Sequence, residues 1–271
     1  MDLFKATKAE KWMIKLFIVG LALLWIFPMY SVITNSLKVE GLRNYSYVLT
    51  NKINKVPFPY YFVNSFIIAL GSSTLVLLTC TLSGFAFSKI EFKFKKIIYN
   101  AVIMCLAISG PIILIPFFYI LKNLGLYNTH LAVILPEVVM TIPFGVLLMK
   151  NYFDSLPSTL IESAHIDGAN MWQVFFHIYF PLAKPAMINL GVLQVMWSLQ
   201  DFLFPLMFLT DSKKFTATVA VNSFKGVYGV TGANLGRYNA ALVLIGIPSI
   251  IIFACVQKYI VNGITAGAIK D

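Results

Sequence analysis

The chain has 271 residues, of which 59% are hydrophobic and only 12% charged, and its formal net charge is +10. Soluble domains carry about 25% charged residues, so this composition excludes an ordinary soluble protein and indicates an integral membrane protein. An excess of positive charge is also found in nucleic-acid-binding proteins, but here most basic residues flank apolar stretches, where lipid headgroups account for them. We therefore expect a lipid bilayer, and no nucleic acid, as a partner of the chain.

Six apolar blocks are long enough to cross a bilayer as α-helices, which need about 20 residues each. Backbone polar groups in lipid must be satisfied within the protein, and unbroken stretches of this length favour helices over the strands of a β-barrel. The sequence therefore predicts an all-α integral membrane protein with one transmembrane domain over residues 1–271. The predicted spans are residues 12–33, 60–87, 97–121, 131–149, 185–209 and 238–261.

The distribution of lysine predicts the orientation of these spans. An even number of spans places both chain ends on the same side of the membrane, and cytoplasmic loops carry an excess of basic residues. The short loop between the second and third spans holds Lys89, Lys93, Lys95 and Lys96. We therefore expect this loop, and with it both termini, to face the cytoplasm.

Residues 155–181 form the longest polar-containing interval between the apolar blocks, and their pattern predicts two short helices joined by a break. Thr159 and Glu162 have the spacing of a capping box for the first helix. Gly168 permits a turn, and Asp167 is placed to cap the second helix. That helix carries aromatic residues at helical spacing, namely Trp172, Phe175, Phe176 and Tyr179. The interval is typical of a docking element rather than a loop.

A known motif matches this interval. Glu162-Ser163-Ala164 and Asp167-Gly168-Ala169, with Pro181 thirteen positions after the glycine, resemble the EAA motif of the membrane subunits of bacterial ABC importers. Ser163 stands where alanine is more usual, which is a small-for-small change. The resemblance implies that Glu162 docks into the basic cleft of a cytoplasmic ATPase subunit, a role that does not exclude capping of its own helix. The docking residues that it implies are Glu162, Ser163, Ala164, His165, Asp167, Gly168 and Ala169.

Two acidic residues, Glu137 and Asp201, fall within predicted spans, where ionisable groups suggest a transport path or a buried pair. Gln194, Trp197 and Asp201 share one face of a helix and form a polar and aromatic stripe suited to sugar hydroxyls and ring faces. The surrounding segment resembles the fifth span of sugar-importer permeases. The alternative is that the stripe packs against helices of a partner subunit, and the position of Glu137 relative to the stripe is open.

The C-terminal residues 257–270 resemble the tail of the second membrane subunit of maltose-type importers. Asn262 and Gly263 are predicted to end the last helix, leaving a cytoplasmic tail over residues 262–271. A small-residue tail is by itself expected to be disordered. The resemblance instead implies that it enters the gap between two ATPase subunits, through Thr265, Ala266, Gly267 and Ala268.

Taken over nearly the whole chain, the resemblance implies a maltose-type permease subunit of a carbohydrate ABC importer in a bacterial cytoplasmic membrane. It implies a heterodimer with a second, homologous permease, two ATPase subunits and an extracytoplasmic solute-binding protein. The chain has no phosphate-binding G-x-x-x-x-G-K-[ST] loop, so we expect ATP and Mg²⁺ to be bound by the ATPase partners and no cofactor by this chain. No metal site is expected, because His165 and His177 have no third ligand at a useful spacing.

Three alternatives stay open from the sequence. A permease for glycerol-3-phosphate is built alike, but it calls for a basic residue facing the path, and none falls within a span. A secondary transporter calls for internal repeats or paired coupling residues, and a membrane enzyme calls for a catalytic constellation. The sequence shows no internal repeat, no paired coupling residues and no catalytic constellation. We therefore expect a transport subunit that is not itself an enzyme.

Overall fold

The computed structural model describes residues 8–53, 55–225 and 232–268, with side chains between residues 10 and 257 of these ranges. Almost all of this chain is helical, and a two-residue antiparallel pair of strands, β1 (Lys52–Ile53) and β2 (Val56–Pro57), joins Lys52 to Pro57 in register. The α-helices are α1 (Lys8–Ser36), α2 (Arg43–Thr50), α3 (Phe58–Lys89), α4 (Lys95–Met104), α5 (Gly110–Asn123), α6 (Leu131–Asp154), α7 (Thr159–Ile166), α8 (Met171–Val174), α9 (Phe180–Leu182), α10 (Lys184–Gln200), α11 (Leu203–Phe208), α12 (Ala217–Ala220) and α13 (Ala233–Ala268).

Four helices in the described ranges are long and apolar enough to cross a membrane, and they coincide with four of the predicted spans. Apolar side chains cover them on all sides, as expected for helices whose solvent is lipid. Their apolar cores lie within Glu10–Ser36, Phe58–Lys89, Leu131–Asp154 and Ala233–Gln257.

The predicted span over residues 97–121 is not one straight helix. Helices α4 and α5 meet at an angle of 108°, and between them Ile108 and Ser109 have extended backbone conformations. Pro111 lies in the first turn of α5, where no intrahelical hydrogen bond needs its missing N–H group. In the interior of a helix continued from α4, the same proline would remove a backbone hydrogen bond. Counted as one broken span, this pair raises the number of spans in the described chain to five.

The predicted span over residues 185–209 is also interrupted. Helix α10 ends at Gln200 after 17 residues, and Asp201 is extended, with ψ of 130°. Its carboxyl oxygen Oδ1 accepts a hydrogen bond of 2.9 Å from the backbone N–H of Leu203, which starts α11. Pro205 contributes to the break because it cannot donate to the carbonyl of residue 201.

The last predicted span, over residues 238–261, lies within α13, but this helix begins earlier, at Ala233, and runs on to Ala268. The expectation that Asn262 and Gly263 end this helix is therefore wrong. A glycine in a helix interior costs only about 1 kcal/mol relative to alanine, which is not enough to end a helix that has no proline there.

The chain forms two compact units, the smaller over residues 1–51 and 221–246 and the larger over residues 52–220 and 247–271. In the smaller unit, the start of α13 is fastened to α2 and to the turn before it. Arg237 donates a 2.8 Å hydrogen bond to Glu40 and lies 3.8 Å from the ring centroid of Tyr47. Asn44 donates hydrogen bonds of 2.9 Å to the carbonyls of Ser36 and Lys38.

The core of the larger unit lies where α3, α6 and α10 cross. Small residues allow close approach there: a Cβ added to Gly145 would lie 2.5 Å from the sulfur of Cys80, and one added to Gly84 would lie 2.6 Å from the Cβ of Met149. The hydroxyl of Ser73 donates a 3.2 Å hydrogen bond to the carbonyl of Gly191. Small residues at crossings, rather than hydrophobic burial alone, are the usual means by which membrane helices associate.

Candidate functional site

Helices α7 and α8 carry the predicted docking motif, and their own caps define its shape. Gly168 adopts a left-handed conformation with φ of 78°, and the N–H of Ala169 donates to the carbonyl of Ala164 at 2.9 Å. These features end α7 and turn the chain toward α8, as predicted for Gly168.

The predicted caps lie elsewhere in the structure. Helix α7 begins after Ser158 without a side-chain cap, so the capping box expected between Thr159 and Glu162 does not form. Asp167 ends α7 instead of capping α8. The cap of α8 is Asn170, whose side chain accepts from the N–H of Gln173 at 2.9 Å while the Gln173 side chain accepts from the N–H of Asn170 at 2.8 Å. The Glu162 side chain is thus left available on an exposed surface.

The motif divides into an outward and an inward face. Ala164 is buried and Ala169 is partly buried, and both pack on the core of the larger unit. The outward residues are Glu162, Ser163, His165, Ile166, Asp167 and Gly168, all of which are exposed. A small side chain is therefore required at the inward positions, whereas the acidic groups point away from the bundle.

The aromatic residues of the second helix do not form one stripe. A π-helix over Phe175–Tyr179 follows α8 and alters the register, as single-turn π segments do. Phe175 and Tyr179 are buried, with ring centroids 5.0 Å and 5.3 Å from that of Phe85 on α3. Trp172 and Phe176 stack on each other at 6.1 Å and are exposed. One pair thus fixes the segment to the bundle and the other is free for a partner.

Polar contacts fasten the same segment to the end of α3 and join its last turn to its first residues. Lys89 donates a 2.8 Å hydrogen bond to the carbonyl of Leu156 and lies 5.5 Å from the ring centroid of Tyr179. Burial raises the pKa of the Tyr179 phenol, which donates to the carbonyl of Pro157 at 3.1 Å. These contacts join the two ends of the segment to each other and to the end of α3.

A second candidate site is a cavity of about 280 Å³ between α6, α10 and the start of α11. A larger cavity of about 560 Å³ beside α3 and α10 is lined mainly by apolar residues, with Ser73 and Lys184 as the polar ones. Gln194, Trp197 and Asp201, which the sequence assigns to one helical face, all line the smaller cavity. Glu137, Thr141 and Ser198 line it with them.

The polar groups of this cavity differ in how far they are already paired. Gln194 is 1% exposed and is held by Thr141, which donates to its oxygen at 2.7 Å, and by Ser72, which accepts from its nitrogen at 3.2 Å. Trp197 is 45% exposed and packs edge-to-face on Phe144 at 5.5 Å. The hydrogen bonds of Gln194 therefore hold the wall of the cavity in place, whereas Trp197 presents an open aromatic surface.

Both membrane acids belong to this cavity. The backbone carbonyl of Asp201 accepts from Thr218 at 2.6 Å and its Oδ1 caps α11, whereas its Oδ2 has no hydrogen-bond partner within the described chain. Glu137 is 6% exposed, and neither of its oxygens has a partner there either. The sequence marked both acids but left open where Glu137 lies relative to the stripe, because Glu137 belongs to α6 and Asp201 to the end of α10.

The tail residues Thr265, Ala266, Gly267 and Ala268 lie in the final turns of α13. Their side chains, and residues 269–271, lie outside the described structure. No group of three or more histidine, cysteine, aspartate or glutamate side chains in the described ranges is arranged to hold a metal ion.

Residues 81–266 match the family described as the binding-protein-dependent transport system inner membrane component. The chain belongs to this family. The match spans α7, α8 and the cavity residues, and the family resemblance read from the EAA-like motif is confirmed. The chain is a membrane protein of this family, whose curated members among its relatives are permease proteins of transport systems.

Curated relatives in the family cover most of the chain. The trehalose/maltose transport system permease protein MalG of Thermococcus litoralis is 35% identical over 84% of this chain and 81% of its own length. The inner membrane ABC transporter permease protein YcjP of Escherichia coli is 33% identical over 79% of this chain and 75% of its own. The galactooligosaccharides transport system permease protein GanQ of Bacillus subtilis is 33% identical over 90% and 86%.

Solved structures show the same fold. A chain of a bacterial ABC transporter involved in the import of the acidic polysaccharide alginate superposes with a TM-score of 0.77 at 20% identity, over 94% of this chain and 98% of that chain. A chain of the MetNI methionine ABC transporter superposes with a TM-score of 0.56 at 17% identity, over 76% and 94%.

Proposed function

We propose that this chain is the permease subunit of an ATP-driven, binding-protein-dependent importer that carries a sugar or oligosaccharide into the cytoplasm. The observation that carries this proposal is the 35% identity with a trehalose/maltose permease over most of both chains, combined with a docking segment fastened to two spans. A galactooligosaccharide permease among the relatives supports the same substrate class. The glycerol-3-phosphate alternative is not favoured, since acids and no basic side chain are among the described residues that line the cavity.

In this proposal the chain crosses the membrane six times, as one domain over residues 1–271. The bent pair of α4 and α5 is one span, and α10 with α11 is another, broken at Asp201. The remaining spans are α1, α3, α6 and α13. Both termini and residues 155–181 face the cytoplasm of a bacterial cell, an arrangement supported by Lys89, Lys93, Lys95 and Lys96 between the second and third spans.

The proposed coupling step is mechanical. Glu162 and the other exposed residues of α7 dock on a basic cleft of an ATPase subunit, where unlike charges attract. ATP-driven closure of the two ATPase subunits then displaces α7 and α8. Lys89 joins the segment to α3, and Tyr179 joins the end of the segment to its first residues. The displacement therefore moves α3 and α6 as rigid bodies between two packed states.

The remaining partners follow from the same proposal. A second, homologous permease completes a heterodimer, and an extracytoplasmic solute-binding protein delivers the sugar. Thr265, Ala266, Gly267 and Ala268 enter the interface between the ATPase subunits. ATP and Mg²⁺ are bound there by the ATPase partners, so this chain itself performs no hydrolysis and holds no cofactor.

The translocation path passes the cavity between α6 and α10. Trp197 offers an aromatic surface on which a sugar ring stacks, and Asp201 offers an acceptor for its hydroxyl groups. Gln194 fixes the wall between them through Thr141 and Ser72.

Reconstitution tests the proposal. The chain, the second permease and the ATPase subunits are placed in liposomes with the solute-binding protein outside, and uptake of the sugar bound by that protein is measured. We expect uptake only with ATP at the ATPase side. Uptake that persists without any ATPase subunit would overturn the proposal in favour of a secondary transporter.

A further inference from the structure

The cavity between α6 and α10 contains acceptor oxygens that have no hydrogen-bond partner in the described chain. They are both carboxyl oxygens of Glu137 and the Oδ2 atom of Asp201. The hydroxyls of Ser72 and Ser198 lie near the Glu137 carboxyl, but not in hydrogen-bonding geometry. Buried polar atoms without partners are rare in folded proteins, and with the Ser198 hydroxyl four of them surround this one cavity, which indicates that a bound molecule completes the site.

Two of the surrounding donors are committed to other acceptors. Thr141 donates to Gln194, and Ser72 donates to the carbonyl of Ala69 at 3.2 Å. The Ser198 hydroxyl is the exception, because it has no hydrogen-bond partner in the described chain. No lysine, arginine or histidine is among the described residues that line the cavity. The acids therefore form no ion pair with these residues, and one serine hydroxyl cannot satisfy all of their free oxygens.

The cavity also limits what the occupant is. Its volume of about 280 Å³ is at the lower end of the range of about 300–1,000 Å³ for ligand pockets, which suits a single sugar ring. Trp197 provides a face for such a ring. A carboxyl oxygen accepts hydrogen bonds from hydroxyl groups, and an ionised carboxyl repels a second anion nearby in a medium of low dielectric constant.

We propose that Glu137 and Asp201 form a paired acceptor site that takes one uncharged sugar ring and excludes sugars that carry a carboxylate or a phosphate. This inference rests on the proposed function, because it assigns the substrate class of the same path. It makes Glu137 a binding residue and gives the carboxyl pair a selective role that Gln194 and Trp197 do not have.

The test is direct binding to the complete permease–ATPase complex in lipid nanodiscs, without the solute-binding protein, by saturation-transfer NMR. The probes are methyl glucoside, methyl galactoside and methyl glucuronide at neutral pH. We expect saturation of the two neutral glycosides and little of the glucuronide. In the variant Glu137→Gln/Asp201→Asn, which keeps side-chain size, the ratio of glucuronide to glucoside signal should rise by about tenfold or more, as expected for loss of a like-charge repulsion at close range.

The control is Glu91→Gln, an acid that is 89% exposed and outside the cavity, and it should leave the ratio unchanged. Equal binding of glucuronide and glucoside by the unsubstituted complex overturns the inference, and this comparison requires no variant to assemble. An unchanged ratio in the double variant overturns it as well. If ATP-driven sugar uptake is intact in either case, only the inference fails; if uptake of every sugar is absent, the proposed function itself fails.

Discussion

The phenol of Tyr179 donates a 3.1 Å hydrogen bond to the carbonyl oxygen of Pro157. This bond joins the last turn of the docking segment to its first residues, so that α7 and α8 are enclosed between two fixed points. Lys89 adds a contact to each of these points, through the carbonyl of Leu156 and the ring of Tyr179. The two ends of the segment are therefore joined to each other and to the end of α3.

Tyr179→Phe tests the hydrogen bond between Tyr179 and Pro157. The substitution keeps the ring in its cluster with Phe85 but removes the hydrogen bond, which contributes about 1 kcal/mol. We expect a small fall in thermal stability and a larger fall in the ATPase activity that loaded binding protein stimulates. Tyr119→Phe on α5 is the control, because Tyr119 is exposed. Equal stimulated activity in the two variants would show that the bond does not transmit movement.

Glu162→Lys tests docking itself. Glu162 is exposed on α7 and lies outside the apolar spans, so the variant should insert in the membrane normally. It brings like charges together in a cleft expected to be basic, and we expect loss of co-purification with the ATPase subunit or of stimulated hydrolysis. Glu91→Lys, a charge reversal at another exposed acid, should retain both. Normal coupling in Glu162→Lys would contradict the docking role.

Gly145→Ala tests the close crossing of α3 and α6. The added Cβ would lie 2.5 Å from the sulfur of Cys80 and 3.3 Å from Leu190, and overpacking of this kind costs about 1–3 kcal/mol. We expect a lower unfolding temperature in detergent, partly restored by Cys80→Ala. Gly246→Ala should be neutral, since nothing lies within 4 Å of its added Cβ. A stable Gly145→Ala protein would mean that the crossing tolerates a wider spacing.

Asp201→Asn tests whether the translocation path passes the cavity between α6 and α10. The amide oxygen can still accept from the N–H of Leu203, so the break between α10 and α11 should persist. The charge at the cavity is lost, and we expect sugar uptake per assembled complex to fall several-fold while membrane abundance is retained. Uptake and abundance are measured in the same cells. A proportional loss of both would make Asp201 a packing residue.

Much of this architecture could be predicted from the sequence because its signals are local. Apolar length located α1, α3, α6 and α13, and Gly168 marked a left-handed turn that only a residue without a side chain adopts easily. The position of the caps was harder, since α7 already begins at Thr159, so that Thr159 and Glu162 form no capping box, and Asn170 with Gln173, rather than Asp167, caps α8. The breaks at Pro111 and Asp201 were hidden by apolar sequence on both sides.

The association of Glu137 with Asp201 was out of reach for a different reason. The two acids are 64 positions apart in the chain, and their meeting depends on which faces of α6 and α10 turn toward each other. Those faces are selected by small residues at the crossings with α3, such as Gly145 and Gly191, whose added Cβ atoms would meet Cys80 and Leu77. A sequence read along one helix at a time contains no such information.

Deletion of residues 264–271 tests the tail. Helix α13 continues to Ala268, so residues 264–268 extend the last helix, and Gly267 has no side chain to keep another backbone at a distance. The deletion removes none of the contacts described above for α7 and α8, so assembly with the ATPase subunits through Glu162 should persist. We expect stimulated ATPase activity to fall several-fold in the truncated complex, measured in liposomes with loaded binding protein, while its subunit composition stays unchanged.

A truncation of residues 269–271 alone, which leaves Thr265, Ala266, Gly267 and Ala268 in place, is the matched control and should retain activity. Full hydrolysis and full sugar uptake by the longer truncation would mean that the end of α13 has no part in the ATPase interface.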